Sequence, residues 1–411
     1  MSPPRVLSVI HAPHLGGPQR RNLALAQRFA ADGTAHLTVA LPDGPAAEVL
    51  SAGGVEVRSL PLGRLRATAD PRTQLRYLAG WPGDVARLGG LIRSTGADVV
   101  LLNGLVNAQG AVAARRAGVA LVWQLLDTRP PPGLIRLLRP VVQAWADCVM
   151  TTGPALAVAQ LGVDPAATAG PLAGRVVPFA PPVDAGCFRP DPAIRAAVRG
   201  ELGVAGRPVV GMIANLTPQK GHDAFLDAAI ALRRVRPDVA FLWLGERFAG
   251  QAAYAERLVQ RARRLGLNDL VVRAPGQRVA ALAQAIDVAW LTSAPRSEGI
   301  PTAAGEAMAL GLPLVGFRVG ALDALVTHGR TGLLVPPGDI SGLVTATAGL
   351  LADLDRRRTL GAAARAAAQA VCAPEACAAH HLAAFEIARA HRQRCAMGGT
   401  TPGRGNKVPS I

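Results

Sequence analysis

Residues 208–244 read PVVGMIANLTPQKGHDAFLDAAIALRRVRPDVAFLWL: an apolar run of strand length at 208–213, a short loop that delivers Lys220 and Gly221, a helix, and a second apolar run at 239–244. Strand, helix and strand in this spacing read as one βα unit of a parallel sheet. The same rhythm precedes it at 6–10, 37–41, 55–60, 98–102, 121–125 and 149–152, and follows it at 270–273, 288–291 and 314–317. Between the two series, 176–192 (VVPFAPPVDAGCFRPDP) is rich in proline and reads as a linker. The expected architecture is α/β, with two Rossmann-like, doubly wound parallel sheets at 1–186 and 187–373. A helix at 374–395 is expected to pack back on the first half, with a disordered tail at 396–411. Ligands of open α/β sheets sit beyond the carboxyl ends of the strands, so the chemistry is expected there, in a cleft between the halves.

The 411 residues exceed the roughly 100–200 of one domain. Half are hydrophobic and mean hydropathy is +0.26, which excludes a disordered chain. The net charge of +16 suits an anionic partner. Lysine stands only at Lys220 and Lys407, and the rest of the 44 basic residues are arginine, so Lys220 is conspicuous before any motif is considered. Five cysteines are too few and odd in number for a disulfide framework, and they suggest a reducing, cytoplasmic site. The opening residues read as a first strand and not a signal peptide, and no apolar run reaches the roughly 20 residues of a membrane span.

Two constellations carry chemistry. In Ser297-Glu298-Gly299-Ile300-Pro301, followed by Gly305-Glu306-Ala307-Met308, the first carboxylate lies in a loop after a strand and the second inside a helix starting near Pro301. Proline suits a helix start, and the N–H groups of a first turn attract anions. Glu298 and Glu306 can hold sugar and ribose hydroxyls while the helix start faces a diphosphate; the plain alternative is two solvated glutamates. In Asn215-Leu216-Thr217-Pro218-Gln219-Lys220-Gly221, a flexible ammonium at a strand end can neutralise phosphate oxygens. An ordinary lysine at a helix start would stand at the wrong end of the dipole.

With Gly320-Ala321-Leu322-Asp323 and Thr331 to Asp339 (TGLLVPPGD), these stretches resemble glycosyltransferase family four, glycosyl transferases group one; Gly16-Gly17 before a helix resembles the family's N-terminal glycine pair. The resemblance implies the GT-B fold and a metal-independent, retaining hexosyltransferase type of enzyme with a nucleotide-diphosphate sugar as donor substrate and no further cofactor. It implies that Lys220 binds the donor diphosphate, with Asn215 in a position the family often gives to Arg. Glu306 would bind the ribose, and Glu298 with the backbone of Gly299, Ile300 and Pro301 would contact the donor sugar. Gly16 and Gly17 would approach the diphosphate or the acceptor. Gln124 stands where many members carry a His near the reacting sugar, leaving Asp127 as the nearest catalytic candidate, and Gln19 replaces an acid after the glycine pair. With no obvious protein nucleophile, preorganised electrostatics is the main catalytic effect implied.

Other signals are weaker. Asp353-Leu354-Asp355 matches a metal-binding pattern but lies in a helical Ala/Arg-rich stretch and reads as a solvated face. Cys372, Cys377, His380, His381 and Cys395 lack the paired C-x-x-C of a metal site, so no metal is expected. His11 and His14 flank the first strand end. P-loop, G-x-G-x-x-G and G-x-S-x-G are absent.

Arg58, Arg64, Arg66, Arg72, Arg76, Arg87 and Arg93 face only Asp70 and Asp84, and Leu134 to Arg139 (LIRLLR) adds an apolar, basic helix start. Two readings stand. The N-terminal half presents a surface to a lipid-linked or phosphorylated acceptor, with peripheral contact at the inner face of a membrane, or these are solvated arginines and packing leucines. Nucleic acid is disfavoured by 4% aromatics and no recognition motif. The function expected is transfer of a sugar from a nucleotide-diphosphate donor to a sugar, lipid-linked or phosphorylated acceptor, in cell-envelope or exopolysaccharide biosynthesis. The alternatives are a catalytically weakened GT-B protein that binds nucleotide sugar or glycan as partner or regulator, and an Arg-rich scaffold for anionic polymers.

Overall fold

The computed structural model describes residues 2–63 and 71–397. The chain divides into two compact units, one comprising residues up to Phe179 together with those from Pro374, the other Ala180–Ala373.

The first unit holds a seven-stranded sheet of β1 (Arg5–Val9), β2 (His36–Leu41), β3 (Glu56–Ser59), β4 (Val99–Asn103), β5 (Ala120–Leu125), β6 (Cys148–Thr152) and β7 (Val176–Phe179), in the order β3-β2-β1-β4-β5-β6-β7. Every pairing is parallel, with Val6 opposite both Leu37 and Val99. Strands covered on both faces read as continuous apolar runs, and β4, β5 and β6 are buried at every position. Trp123 is wholly enclosed, and its indole N–H donates to Gly104 O at 3.0 Å, which satisfies its one polar atom.

The second unit holds β8 (Val209–Ile213), β9 (Ala240–Leu244), β10 (Val271–Arg273), β11 (Val288–Leu291), β12 (Leu314–Phe317) and β13 (Gly332–Val335), parallel in the order β10-β9-β8-β11-β12-β13. Phe225, Phe241, Trp243 and Trp290 form its aromatic centre, with ring centroids 5.0–6.3 Å apart. In each sheet the order reverses beside the first strand, between β1 and β4 and between β8 and β11. These are the switch points where ligands of such sheets bind.

Three boundaries differ from the expectation. The linker read at 176–192 begins with β7, where Val176 pairs with Val149. Proline at 178 is tolerated because β7 is the edge strand and its missing N–H costs no ladder bond. The same stretch ends on the helix Pro192–Glu201, capped by Asp191. The crossing to the second unit therefore falls at 179/180 and not 186/187: Val183 already donates its N–H to Cys372 O at 2.8 Å inside the second unit. The C-terminal helix runs Pro374–Ala396 and packs on β5, β6, β7 and the helix Gly17–Asp32 of the first unit, with Phe385 edge-on to Phe29 at 6.1 Å. The tail read from 396 lies outside the described residues beyond Met397, as do Arg64, Arg66 and Asp70.

Candidate functional site

In the second unit, β8 ends at the switch point and a 3-10 turn, Pro218–Lys220, carries the ammonium. The loop after β11 carries Glu298. The two groups meet: Lys220 Nζ donates to Glu298 Oε1 at 2.5 Å, and Ser293 Oγ donates to the same oxygen at 3.1 Å. Lys220 and Glu298 retain 28% and 12% side-chain exposure, so the pair is sheltered yet open to a ligand.

Both loops are held by close backbone approach. Gly221 sits at φ 69°, and a Cβ there would lie 1.8 Å from Thr292 O. Thr292 Oγ1 donates to Gly221 O at 3.0 Å, and Ala294 N–H donates to Gln219 O at 2.9 Å. Gly320, at φ 63°, passes over Glu298, where a Cβ would stand 2.4 Å from its carbonyl oxygen; Ala321 N–H donates to Gly299 O at 3.1 Å. Glycine is required at each because only it combines positive φ with no Cβ.

Gly299, Ile300 and Pro301 lead into the helix Thr302–Ala309, which no side chain caps. Its first turn is a favourable place for an anion. Glu306, half-buried, follows on this helix, next to Gly305, whose missing side chain leaves room for Val183 and Cys372. Lys220, Glu298 and Gly299 to Pro301 are thus assembled around one switch point, with Glu306 on the adjoining helix.

Asn215 serves the local backbone. Its Oδ1 accepts Glu246 N–H at 3.1 Å, and Glu246 O accepts Leu216 N–H at 3.0 Å, which pins the loop after β9 to the end of β8. His222, next to the loop, is fully enclosed with its ring edge-on to Trp243 at 5.0 Å; burial pushes its pKa down to about 4, so it is neutral at physiological pH.

The first unit shows a different pattern. Gly16 caps the helix Gly17–Asp32; Gln19 Oε1 accepts Gly16 N–H at 3.1 Å and its Nε2 donates to Ala12 O at 2.9 Å. The amide thereby closes the glycine loop from inside. Gln124, in the position many members give to a His near the reacting sugar, is fully buried in β5, accepting Arg21 Nη2 at 2.7 Å and lying 2.8 Å from His381 Nε2. Asp127, half-buried in the loop after β5, accepts Arg129 N–H at 3.0 Å on Oδ1, and its carbonyl accepts Gln160 Nε2. Ser293 and Arg21 were not marked by the sequence; Ser293 could have been found from its place two residues past β11, facing the Lys220 loop.

Asp353 caps the helix Leu354–Val371 by accepting Arg356 N–H at 2.9 Å, while Asp355 is 96% exposed, which makes the Asp-x-Asp a helix start. Among the described residues no group of three or more His, Cys, Asp or Glu could hold a metal ion, and no helix is long and apolar enough to cross a membrane. Leu75, Leu78 and Leu137 are exposed by 62–68% on the helices Pro71–Thr95 and Pro132–Trp145.

A family described as glycosyl transferases group 1 matches residues 207–353, and a glycosyl transferase 4-like domain matches 16–169. The chain is 35% identical over 193 residues to a GDP-mannose-dependent alpha-(1-6)-phosphatidylinositol monomannoside mannosyltransferase of Mycolicibacterium smegmatis, covering 45% of this chain and 49% of that protein. It is 37% identical over 190 residues to a D-inositol 3-phosphate glycosyltransferase of Segniliparus rotundus, covering 46% and 41%. The chain spans about half the length of the curated relatives it matches. Anabaena HepE, solved with UDP and glucose, superposes with a TM-score of 0.77 over 92% of this chain and 98% of its own at 23% identity. Sucrose-phosphate synthase of Thermosynechococcus elongatus superposes at 0.71 over 96% and 100%, at 20% identity. The fold is GT-B, and the chain belongs to family four of the glycosyltransferases, the group 1 glycosyl transferases.

Proposed function

We propose that this protein is a retaining, metal-independent glycosyltransferase that moves a sugar from a nucleotide-diphosphate sugar to an acceptor. The observation that carries the reading is the contact between Lys220 and Glu298 at the β8/β11 switch point. A cation for phosphate oxygens and a carboxylate for sugar hydroxyls stand within one hydrogen bond of each other. The bond that breaks in such a donor lies between those two moieties. Charge develops on the diphosphate as the sugar departs. Lys220 and the start of the helix Thr302–Ala309 would stabilise it without reorganising, an effect worth about 10²–10³ in rate for one such donor. Glu306 would hold the ribose, and Gly299 to Pro301 would shape the sugar subsite.

The first unit would receive the acceptor through Gly16, Gly17 and Asp127. Relatives named for a phosphatidylinositol mannoside and for an inositol phosphate support an acceptor that is phosphorylated or lipid-linked, in cell-envelope biosynthesis. Exposed Leu75, Leu78 and Leu137, with Arg72, Arg76 and Arg136 on the same helices, support peripheral contact with an anionic membrane surface.

The test is a thermal-shift screen against UDP-, GDP- and ADP-sugars followed by donor hydrolysis. A ligand of the native state raises the melting temperature by mass action. A shift with hydrolysis is expected and names the donor. A shift that never leads to hydrolysis or transfer with any acceptor favours a binding-only protein, and no shift removes the donor site.

A further inference from the structure

Arg21 is a buried cation that lacks a buried anion. It lies four residues into the helix after Gly17, about 6 Å along the axis, with only 4% of its surface exposed. Its Nη2 donates to Asn103 Oδ1 and Gln124 Oε1, both at 2.7 Å, its guanidinium covers the Phe179 ring at 5.1 Å, and its Nε has no partner. Among the described residues no carboxylate pairs with it. Burial lowers its pKa to about 10, which still leaves it charged; the opposing Coulombic influence is Cys377.

The surrounding hydrogen bonds keep that charge uncompensated. Cys377 O can only accept, so the 2.7 Å bond from His381 Nδ1 fixes the proton on that nitrogen. His381 Nε2 then accepts from Gln124 Nε2, and the Gln124 carbonyl is left facing Arg21. Burial pushes the His381 pKa down to about 3, so the relay stays neutral. Asn103, the last residue of β4, donates to Ser8 Oγ of β1 at 2.9 Å. The guanidinium therefore lies against the ends of β4 and β5, beside the β1/β4 switch point and joined to β1 through Asn103. The helix that opens beside it has no acidic residue in its first turn. Isolated buried charges are costly and persist where a function requires them.

We propose that the first unit binds an anionic, phosphate-bearing group of the acceptor at the β1/β4 switch point, beside Gly16 and Gly17, and that Arg21 supplies the charge that attracts it. Gln124 and His381 are positioning residues that hold the guanidinium and keep it unneutralised. The word acceptor rests on the transferase reading above; the anion site does not.

The probe is inorganic phosphate, titrated calorimetrically at low salt into the full chain carrying Lys220→Ala, which removes the cation of the second unit. Phosphate is expected still to bind. Adding Arg21→Met should weaken it at least tenfold, and Arg21→Lys should recover affinity to within about threefold, a rescue that a packing role alone would not give. Should Arg21→Met fail to fold, Asn103→Asp carries the test: it sets a carboxylate against the guanidinium and should lower phosphate affinity in a protein that still folds, with some loss of melting temperature from the bond that Asn103 Nδ2 gives up to Val9 O. Unchanged affinity in a folded Arg21→Met or Asn103→Asp protein overturns the proposal. Loss of all phosphate binding in Lys220→Ala alone also overturns it, while leaving the donor site intact. Arg21-dependent binding in a protein that ignores every nucleotide sugar would sink the transferase reading and keep this one.

Discussion

Lys220 and Glu298, 78 residues apart, share a hydrogen bond of 2.5 Å, and Ser293 donates to the same carboxylate oxygen. The cation and the carboxylate thus partner each other. Replacing Lys220 by alanine is expected to lower turnover of the donor by about 10²-fold or more while moving the melting temperature by only a few degrees. Steady-state rates and a thermal melt on the same preparation decide it, and equal activity in the mutant removes the diphosphate role.

Ser293→Ala removes one neutral donor from that carboxylate. Because the acceptor is a carboxylate, the expected cost is about 1.5–3 kcal/mol, or roughly tenfold or more in kcat/KM, with the melting temperature nearly unchanged. A fall in stability with activity intact would assign Ser293 to the fold alone.

Glu306→Ala is expected to weaken nucleotide binding by about tenfold or more, since hydrogen bonds to a charged group contribute about 1.5–3 kcal/mol. Calorimetry with the free nucleotide isolates this from chemistry. Unaltered affinity means that the ribose is held elsewhere.

Gly221→Ala tests the crossing of the two loops. A Cβ at 1.8 Å from Thr292 O cannot be accommodated without moving backbone, and the positive φ adds strain. A loss of about 3 kcal/mol or more is expected from urea unfolding midpoints, with Lys220 displaced and activity lost. A stable, active variant contradicts the geometry.

His222 and His381 are buried in the neutral form, with pKa values pushed down to about 4 and about 3. The unfolded chain takes up these protons near pH 6.5, before the folded one does, so stability is full above that pH and falls as the pH drops toward the folded values. Each group contributes a slope of about 1.4 kcal/mol per pH unit within its window. Stability of His222→Phe, followed against pH from 7 to 4, should fall less steeply than that of the parent. Parallel curves would mean that His222 does not titrate differently on folding.

Much of this was legible in the sequence because apolar runs and proline or glycine punctuation act locally. The strands at 209–213 and 240–244 fall where the opening stretch placed them. Lys220 stood out because lysine is scarce, and Glu298 because its flanking residues are distinctive. Arg21 was hidden for the converse reason: in a chain so rich in arginine, one more carries no signal. The burial of Gln124 was not legible because β5 is buried on both faces, so alternation along the strand cannot tell an inward side chain from one at the rim. The strand β7 was masked by Pro178, which is harmless only at an edge, and edge position is a property of the assembled sheet.

The chain leaves the first unit at Phe179 and re-enters it at Pro374, whereas the second unit is one uninterrupted segment. During synthesis, the part encoded second is consequently complete before the part encoded first. His381, Phe385 and Ala388, which fill the first unit's interior, emerge from the ribosome only after all of Ala180–Ala373 has been translated. Domains fold as units once their residues are available. The nascent N-terminal sheet therefore waits, with the flank that receives this helix uncovered, until the whole of the second unit has been made.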